Sequence, residues 1–279
     1  MPSETYDTPG PLLLTLAIPA GEIEIETVPG DKTQVDLEAL TDSARDLLSE
    51  SRMELRSRGE GHEVVVDVPS ARSGFFISFG RGPDFRLRVT CPPGAELDVQ
   101  TKSADVRGRG ELGRAAVKSA SGDVSLAEVR GDARIKTASG DVHLEEVHGT
   151  THVQTASGDL SLERAHGDVQ GQLVSGDVWV RDAHGSVGLH TVSGDQRIDA
   201  ASGSVDLHAV SGDITVGVRR GAKVFVDCTT ISGDTSSELE LGDSPASAGD
   251  DGALIEIRAK TVSGDIQLTR APASIPAAS

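Results

Sequence analysis

The stretch Thr137-Ala138-Ser139-Gly140-Asp141-Val142, TASGDV, returns 18 residues later as TASGDL. Related copies, LVSGDV, TVSGDQ and AVSGDI, follow at the same interval. The serines of these Ser-Gly-Asp tripeptides are Ser121, Ser139, Ser157, Ser175, Ser193 and Ser211. A second row of glycines falls midway between them: Gly113, Gly131, Gly149, Gly167, Gly185, Gly203 and Gly221. A fixed internal period of this kind is typical of a repeat architecture.

The letters between the glycines alternate between apolar and polar. The first and third positions after Gly-Asp are apolar, as in Val142 and Leu144, and the residues between are mostly polar. Alternation with period two, interrupted regularly by glycine, predicts short strands joined by tight turns. The turns lack the Asn-Gly and Gly-Gly pairs of hairpins, and two distinct turns follow each other in strict order. The sequence therefore predicts an all-β fold, a parallel β-solenoid with 18-residue, two-strand coils and β caps at both ends.

We interpret each Ser-Gly-Asp as a corner of a coil. Glycine supplies a positive φ that other residues adopt only at a cost, and Ser and Asp hydrogen-bond to backbone groups of turns. The predicted structural turn residues are Gly122, Asp123, Gly140, Asp141, Gly158, Asp159, Gly176, Asp177, Gly194, Asp195, Gly212 and Asp213.

The ordered array of these tripeptides resembles the bacterial putative-adhesin family of β-strand-repeat proteins, a family largely of unknown function. The resemblance also runs through VTCPPGAELDVQTKSADVRGRG at 89–110 and IEIRAKTVSGDIQLTR at 255–270, so it covers most of the chain. It implies a β-solenoid fold and no known catalytic residues. The adhesin name implies binding, and it is often attached to exported or membrane-linked members.

The breaks in the repeat pattern and the changes of composition along the chain predict four segments. They are an N-terminal β cap at 1–84 with an aromatic loop at 70–84, the repeat array at 85–231, a C-terminal cap at 232–270 with an acidic loop at 242–252, and a disordered tail at 271–279. The first segment also carries a short helix signal around Ser43 to Ser49. Later corners at Ser232 and Ser263 follow gaps of 21 and 31 residues, so the regular register ends before the C-terminal cap.

Composition restricts the function classes. The formal net charge of −18 opposes direct binding to nucleic acid or anionic membranes, because both attract basic surfaces. The chain does not open with a basic stretch and an apolar run, and the longest apolar run, at 11–20, is too short for a membrane span. We therefore expect a cytoplasmic protein. Cys91 and Cys228 lie in different coils, and we expect them to be reduced, packed thiols.

The candidate partner-binding site is an aromatic loop. Phe75, Phe76 and Phe79 lie beside Arg72 and Arg81 in a chain with only 3% aromatic residues. Such a cluster suits contact with a partner, or it folds over the solenoid end as a plug. The partner is expected to be an unidentified protein or envelope component, and the sequence is compatible with an oligomer. We interpret the wider group of arginines as solvated strand faces and loop residues: Arg52, Arg56, Arg58, Arg72, Arg81, Arg86 and Arg88.

Stacked coils would align the corner aspartates in a column. Neighbouring carboxylates repel unless N–H groups, cations or raised pKa values relieve them, and calcium prefers several oxygen ligands. The repeats lack the G-G-x-G-x-D loops of a calcium-binding β-roll, however. The column consists of Asp105, Asp123, Asp141, Asp159, Asp177, Asp195 and Asp213.

Histidines are expected to stack as well. His148, His166 and His184 share one position before the mid-coil glycine, and His190 and His208 form a second pair. A zinc site needs three or four converging ligands, whereas a column runs its side chains parallel. We therefore expect exposed turn residues and no metal site, although two imidazoles of adjacent coils could form a weak one.

Catalytic signatures are missing from the sequence. Neither G-x-S-x-G, H-E-x-x-H nor a phosphate-cradling loop occurs, and the single Tyr6 and Trp179 leave little for a sugar-stacking groove. We predict no catalytic residue and no cofactor, and we predict a non-enzymatic scaffold that binds a protein or envelope component. The alternatives are an exported surface adhesin, a carbohydrate-active β-helix enzyme and a calcium-binding β-roll.

Overall fold

The computed structural model describes residues 2–69, 83–219, 223–239 and 254–272. The chain divides into two compact units, Met1–Glu145 and Glu146–Ser279. Strands dominate both, and the predicted fold class, an all-β parallel β-solenoid, is confirmed. The described residues contain one short helix, α1 (Asp42–Leu48), which matches the signal around Ser43 to Ser49.

The second unit consists of stacked coils with two short strands each. The strands before each Ser-Gly-Asp corner are β11 (Thr151–Ser157), β13 (Val169–Ser175), β15 (Val187–Ser193) and β17 (Val205–Ser211). The strands after it are β12 (Leu160–Ala165), β14 (Val178–Ala183), β16 (Gln196–Ala201) and β18 (Ile214–Val218). Val187 pairs in parallel with Val169 on one side and Val205 on the other. Each coil therefore stacks on its neighbour at an interval of 18 residues.

Alternation along each strand builds the core of this unit. In β15, Val187, Leu189 and Thr191 are buried, while Gly188 and His190 lie on the outer face. Successive side chains of a strand point to opposite faces of the sheet, so both strands of a coil turn a mostly aliphatic row inward. The interior is therefore a set of aliphatic columns that each coil extends by one step.

The last coils of the second unit do not stack in sequence order. Here β19 (Lys223–Ser232) and β20 (Thr235–Ser237) precede β21 (Leu254–Ser263) and β22 (Ile266–Arg270). Yet β21 pairs with β17 on one side and β19 on the other, and β22 lies in the same way between β18 and β20. Ser263 is the register partner of both Ser211 and Ser232. The irregular gaps in the sequence thus reflect an exchanged order of coils, since the column of corners itself continues.

The first unit joins parallel coils to antiparallel strands. Its strands are β1 (Ser3–Asp7), β2 (Leu12–Thr27), β3 (Lys32–Ala39), β4 (Arg52–Arg58), β5 (Gly61–Asp67), β6 (Phe85–Cys91), β7 (Ala95–Lys118), β8 (Val124–Val129) and β9 (Ala133–Ser139); β10 (Val142–Val147) crosses the division. The long β2 pairs in parallel with β7 on one side and with β5 and β6 on the other. Beyond them the direction reverses, because β4 is antiparallel to β5 and β3 is antiparallel to both β6 and β1.

The boundaries of the four predicted segments stay a prediction. Most of the aromatic loop, residues 70–82, lies outside the described residues, as do the acidic loop at 242–252 and residues 273–279 of the predicted tail. Cys91 is buried and Cys228 is half-buried, and both thiols are free. Burial raises the pKa of Cys91 to about 12 and also raises that of Cys228, so both stay protonated at neutral pH.

Candidate functional site

The corner glycines adopt a backbone conformation that other residues rarely accept. Gly194 has a φ of 129°, and the glycines of the other described Ser-Gly-Asp corners have values from 127° to 152°. A Cβ placed on Gly194 would also lie 2.6 Å from the carbonyl carbon of Gly176 in the coil below. Two independent constraints, the dihedral angle and the close approach of two backbones, therefore require glycine at this corner.

The corner aspartates bind backbone N–H groups of the next coil. In the second unit, Asp177, Asp195 and Asp213 each donate a backbone N–H to Oδ1 of the aspartate 18 residues earlier, at 2.8 Å. In the last coils, the N–H of Asp265 donates to Oδ1 of Asp213 and the N–H of Asp234 donates to Oδ1 of Asp265, both at 2.8 Å. In the first unit, the N–H groups of Asp123 and Asp141 donate at 3.0 and 2.9 Å to Asp105 and Asp123. Hydrogen bonds to the charged form relieve the repulsion between stacked carboxylates without a cation.

Calcium should therefore leave the stability of the protein unchanged. One oxygen of Asp195 already accepts an N–H at a distance typical of a good hydrogen bond, and the same holds for Asp105, Asp123, Asp159, Asp177, Asp213 and Asp265. We expect millimolar Ca²⁺ to shift the melting temperature by less than about 1 °C, since a ligand stabilises only the state that it binds. Calorimetry with Ca²⁺ and with chelator tests this, and a rise of many degrees with Ca²⁺ would show that the columns bind the ion.

A row of exposed β-branched side chains accompanies the corners of the second unit. We call it the valine ridge: Val174, Val192, Val210, Val262 and Ile231. Their relative exposures run from 45% at Val262 to 78% at Ile231. Each immediately precedes the serine of its corner, and the serines are register partners from coil to coil. The five side chains therefore form one line along the outside of this unit.

Sequence reasoning missed the valine ridge. Its signal is the residue before Ser-Gly-Asp, which is alanine at Ala138 and Ala156 but valine or isoleucine in the later copies. The side chain before Ser-Gly-Asp points outward and does not pack in the core. Its change from alanine to valine or isoleucine therefore needs a reason other than packing.

The histidine column of the second unit surrounds a carboxylate that sequence reasoning also missed. The rings of His148 and His166 stack with centroids 4.5 Å apart and planes 7° from parallel. Oε1 of Glu146 lies 2.8 Å from Nε2 of His166 and 3.7 Å from Nε2 of His148, while its Oε2 accepts a hydrogen bond from Arg164 at 2.9 Å. The hydrogen bond with His166, supported by Arg164 and His148, holds the pKa of Glu146 below its usual range.

The expectation that these histidines are simply exposed holds for only one of the three. His148 and His166 are half-buried, and His184 is exposed. The ring of His184 meets that of His166 edge to face at 5.1 Å, and its Nε2 lies 3.4 Å from Oδ2 of Asp182. His184 thus contacts a second carboxylate, that of Asp182, which Arg219 also contacts.

The predicted second pair of histidines also stacks. The ring centroids of His190 and His208 are 5.0 Å apart with planes 7° from parallel, and Nε2 of His208 lies 3.0 Å from Oδ1 of Asp206. Within the described residues, however, the three groups Glu146, His148 and His166 are the one set of three potential ligands that lie close enough together to share an ion.

Arginines of the first unit lie beside glutamates. Glu22 and Glu24 on β2 are register partners of Arg86 and Arg88 on β6, and Glu24 is the partner of Arg107 on β7. Arg88 donates to Glu24 at 2.8 Å and lowers the pKa of that carboxyl, and Arg107 pairs with Glu22. Arg86 and Arg88 of the basic stretch are thus paired with glutamates across strands, as expected for solvated strand faces.

The single tryptophan is already held by two neighbouring side chains. The indole Nε1 of Trp179 donates to Oδ2 of Asp199 at 2.9 Å, and the guanidinium of Arg181 lies 5.2 Å from the ring centroid. The ring is therefore already in a cation–π contact. This arrangement gives no support to the alternative of a carbohydrate-active enzyme.

The predicted aromatic contact stays a prediction. Phe75, Phe76, Phe79, Arg72 and Arg81 all lie outside the described residues. Among the residues that the structure does describe, no helix has the length and apolar character needed to cross a membrane.

Comparison with known proteins places the chain in a family. The Toastrack DUF4097 family model matches residues 14–269, and no curated protein matches the chain. The chain is similar to solved structures of a "putative adhesin" from Parabacteroides distasonis (9% identity, TM-score 0.40, 95% of this chain and 96% of that chain covered) and a "putative adhesin" from Bacteroides fragilis (15%, 0.36, 95% and 95%). A "putative lipid binding protein" from Parabacteroides distasonis is also similar (12%, 0.35, 96% and 97%). Likenesses this distant carry no argument about function. The family model, by contrast, spans most of the chain, and the protein therefore belongs to the Toastrack DUF4097 family.

Proposed function

We propose that this protein is a non-enzymatic β-solenoid scaffold that binds a protein partner along the valine ridge. The observation that carries the proposal is the ridge itself, five β-branched side chains in one line with exposures of 45% or more. Scattered apolar residues are normal on a surface, but a continuous apolar row marks an interaction site more often.

The ridge is suited to binding because it is rigid. Its residues sit at strand ends whose neighbours, such as Ser175 and Ser193, are held in register by parallel pairing. A partner therefore meets a preorganised row and orders little of this chain when it binds. Full burial of a valine side chain is worth roughly 1.5–3 kcal/mol, and these side chains are about half exposed. Three or four of them would supply several kcal/mol of the free energy of binding.

The charges beside the valine ridge indicate the chemistry of the partner's surface. Each ridge residue is followed three positions later by the aspartate of its corner, as Val192 is by Asp195, and these aspartates are exposed. The apolar row thus runs beside an acidic row on a chain with a net charge of −18. We infer a protein partner that presents an apolar strip flanked by lysine or arginine, because complementary potentials favour such a pair over others.

Replacing Val174, Val192 and Val210 together by threonine should weaken capture of the partner by about tenfold or more. Threonine has nearly the shape of valine and keeps a high β propensity, but burying its hydroxyl without a hydrogen bond costs free energy. The fold should survive, because all three side chains point outward. The measurement is affinity capture with the wild-type protein at low and high salt, followed by a titration with the identified partner. We expect capture to fall with salt because exposed charges are screened.

Matched variants separate this proposal from the aromatic-loop prediction. Val28→Thr makes the same chemical change at an exposed valine outside the ridge and should leave binding intact. Replacing Phe75, Phe76 and Phe79 by serine tests the predicted loop contact. If the threonine variant binds as tightly as wild type, or if the captured partner presents an acidic surface, the ridge is not the contact. Loss of binding in the serine variant alone would assign the contact to the loop.

The location of the protein stays a prediction. We retain the expectation of a cytoplasmic protein as a proposal, and fractionation of cells with an antibody against the chain tests it. Recovery of the protein at the cell surface would favour the exported adhesin instead.

A further inference from the structure

We propose that Glu146, His148 and His166 form a binding site for a single zinc ion. The three side chains come from two successive coils of the second unit, and each offers one ligand atom. Those ligand atoms all lie within 4.8 Å of one another, and Oε1 of Glu146 is 2.8 Å from Nε2 of His166 and 3.7 Å from Nε2 of His148. The site is separate from the valine ridge and does not depend on the proposed function.

The strand pattern explains why these three side chains meet. Glu146 and His148 are two residues apart, so on an extended chain they share the outer face. The equivalent positions 18 residues later are Arg164 and His166, which brings the second imidazole beside the first. The rings of the two histidines are nearly parallel at 4.5 Å, close to the spacing of neighbouring strands. Stacking thus places the two imidazoles side by side, and Glu146 supplies an oxygen close to Nε2 of both.

The distances are near those of a tetrahedral zinc site. Zinc binds imidazole nitrogen and carboxylate oxygen at about 2.0–2.2 Å, which places two ligands of one tetrahedron roughly 3.4 Å apart. The carboxylate oxygen lies 2.8 Å from His166 and 3.7 Å from His148, on either side of that value. To bind one ion, the two half-buried rings must rotate out of their parallel stack so that both nitrogens point at it together with Oε1 of Glu146. A fourth position stays open to water, as in sites with three protein ligands.

The carboxylate of Glu146 is already oriented toward the two imidazoles. Arg164 holds Oε2 at 2.9 Å, which leaves Oε1 directed at the two rings. A positioned second oxygen fixes the orientation of a ligating carboxylate, as outer hydrogen bonds do at many metal sites. A glutamate carboxyl is ionised at neutral pH, so the oxygen needs no deprotonation before it binds the ion. The imidazoles bind the ion only when neutral, so Zn²⁺ competes with protons at this site.

The ligand set also selects the ion. Two nitrogens and one oxygen suit zinc and its neighbours among the transition metals, whereas calcium and magnesium prefer oxygen ligands alone. His184 does not join the set, because its Nε2 is directed at Asp182 at 3.4 Å. We therefore expect one ion for each chain.

Calorimetric titration with Zn²⁺ tests the proposal on untagged full-length protein freed of metal with a chelator. The wild-type chain should bind one Zn²⁺ at pH 7.5, and a hundredfold excess of Ca²⁺ should not displace it. His166→Gln and Glu146→Gln should each lower the affinity about 100-fold or more. Both side chains lie on the outer face, so circular dichroism should show that the variants fold. Co²⁺ in place of Zn²⁺ should give the visible absorption of a tetrahedral site, and His166→Gln should abolish it.

The second stacked pair provides the matched control. His190→Gln removes one ring from a pair with the same interplanar angle of 7°, and it should leave zinc binding unchanged. If wild type binds Zn²⁺ no better than His166→Gln, the site does not exist. If His190→Gln removes binding while His166→Gln does not, the ion binds at the other pair and the assignment is wrong.

Discussion

Replacing Gly194 by alanine should destabilise the protein by about 3 kcal/mol or more, whereas the same change at Gly188 in the same coil should be nearly neutral. Gly194 combines a φ of 129° with the backbone of Gly176 in the space that a Cβ needs. A residue held in such a region costs roughly 1–3 kcal/mol, and the overlap with a backbone group adds to this because no side chain can move aside. At Gly188 an added methyl group would have no atom within 4 Å, and the backbone has no positive φ.

Urea denaturation followed by circular dichroism measures both variants. We compare midpoints and not extrapolated free energies, since stacked repeats do not always unfold in a single step. Gly188→Ala should keep the wild-type midpoint or raise it slightly, because alanine reduces the freedom of the unfolded chain. Equal midpoints for the two variants would show that the corner tolerates a side chain and that our account of Ser-Gly-Asp is wrong.

Replacing Leu189 by alanine should destabilise the protein by about 3–5 kcal/mol, the upper part of the usual range for a buried leucine. Leu189 is fully buried, and its inward register partner in the coil below is Gly171. A Cβ on Gly171 would lie 2.7 Å from Cδ2 of Leu189. The leucine therefore fills the volume that the glycine leaves, and its loss opens a cavity beside a residue that has no side chain to fill it.

The glycine below Leu189 makes this prediction testable by a double-mutant cycle. Gly171→Ala alone should destabilise, because the new methyl group meets Leu189. In the Leu189→Ala background the same change should stabilise, because it fills part of the cavity. A coupling free energy of about 1 kcal/mol or more is typical of residues in direct contact. Additive effects in urea denaturation would mean that the two side chains do not share this volume.

The coil could be predicted from the sequence because each of its features is repeated. The inward position of Val187 is taken by valine, threonine or alanine in the other coils of the array, and glycine marks nearly every turn. The two kinds of glycine nevertheless differ. Gly185 in the mid-coil turn has no positive φ, and glycine is required there because the backbone of Gly167 leaves no room for a side chain. The letters alone do not separate these two causes.

The exchanged order of the last coils could not be predicted from local signals. The corner at Ser263 has the same letters as the corner at Ser211, so each is an equally good neighbour for any other. Only the pairing of β21 with both β17 and β19 shows which coils are adjacent. Identical repeats encode how coils stack but not in which order.

The candidate sites were predicted only in part for the same reason. The sequence shows that His148 and His166 share a column, but Glu146 is one of many carboxylates and does not repeat. A more useful signal was the pairing of Glu-x-His in one coil with Arg-x-His in the next, because strand alternation puts all four side chains on one face. The valine ridge was missed for a different reason. Apolar residues on the outer face of a strand are common and usually need no explanation.

Because β21 and β22 insert between earlier coils, we expect the second unit to complete its stack only after these strands have been synthesised. Chains begin to fold from the N-terminal side during synthesis, and the coils of the second unit up to β18 can stack as they emerge because each finds its neighbour already synthesised. The nascent β19 has no such neighbour, since its parallel partner is β21 and β21 is translated later. Until residues 254–270 leave the exit tunnel, β19 and the edge of β17 both lack their parallel partner, because that partner is β21 in each case. The segment 254–270 thus completes the pairing of both strands. A polypeptide interrupted before it would expose two unpaired strand edges to chaperones and proteases.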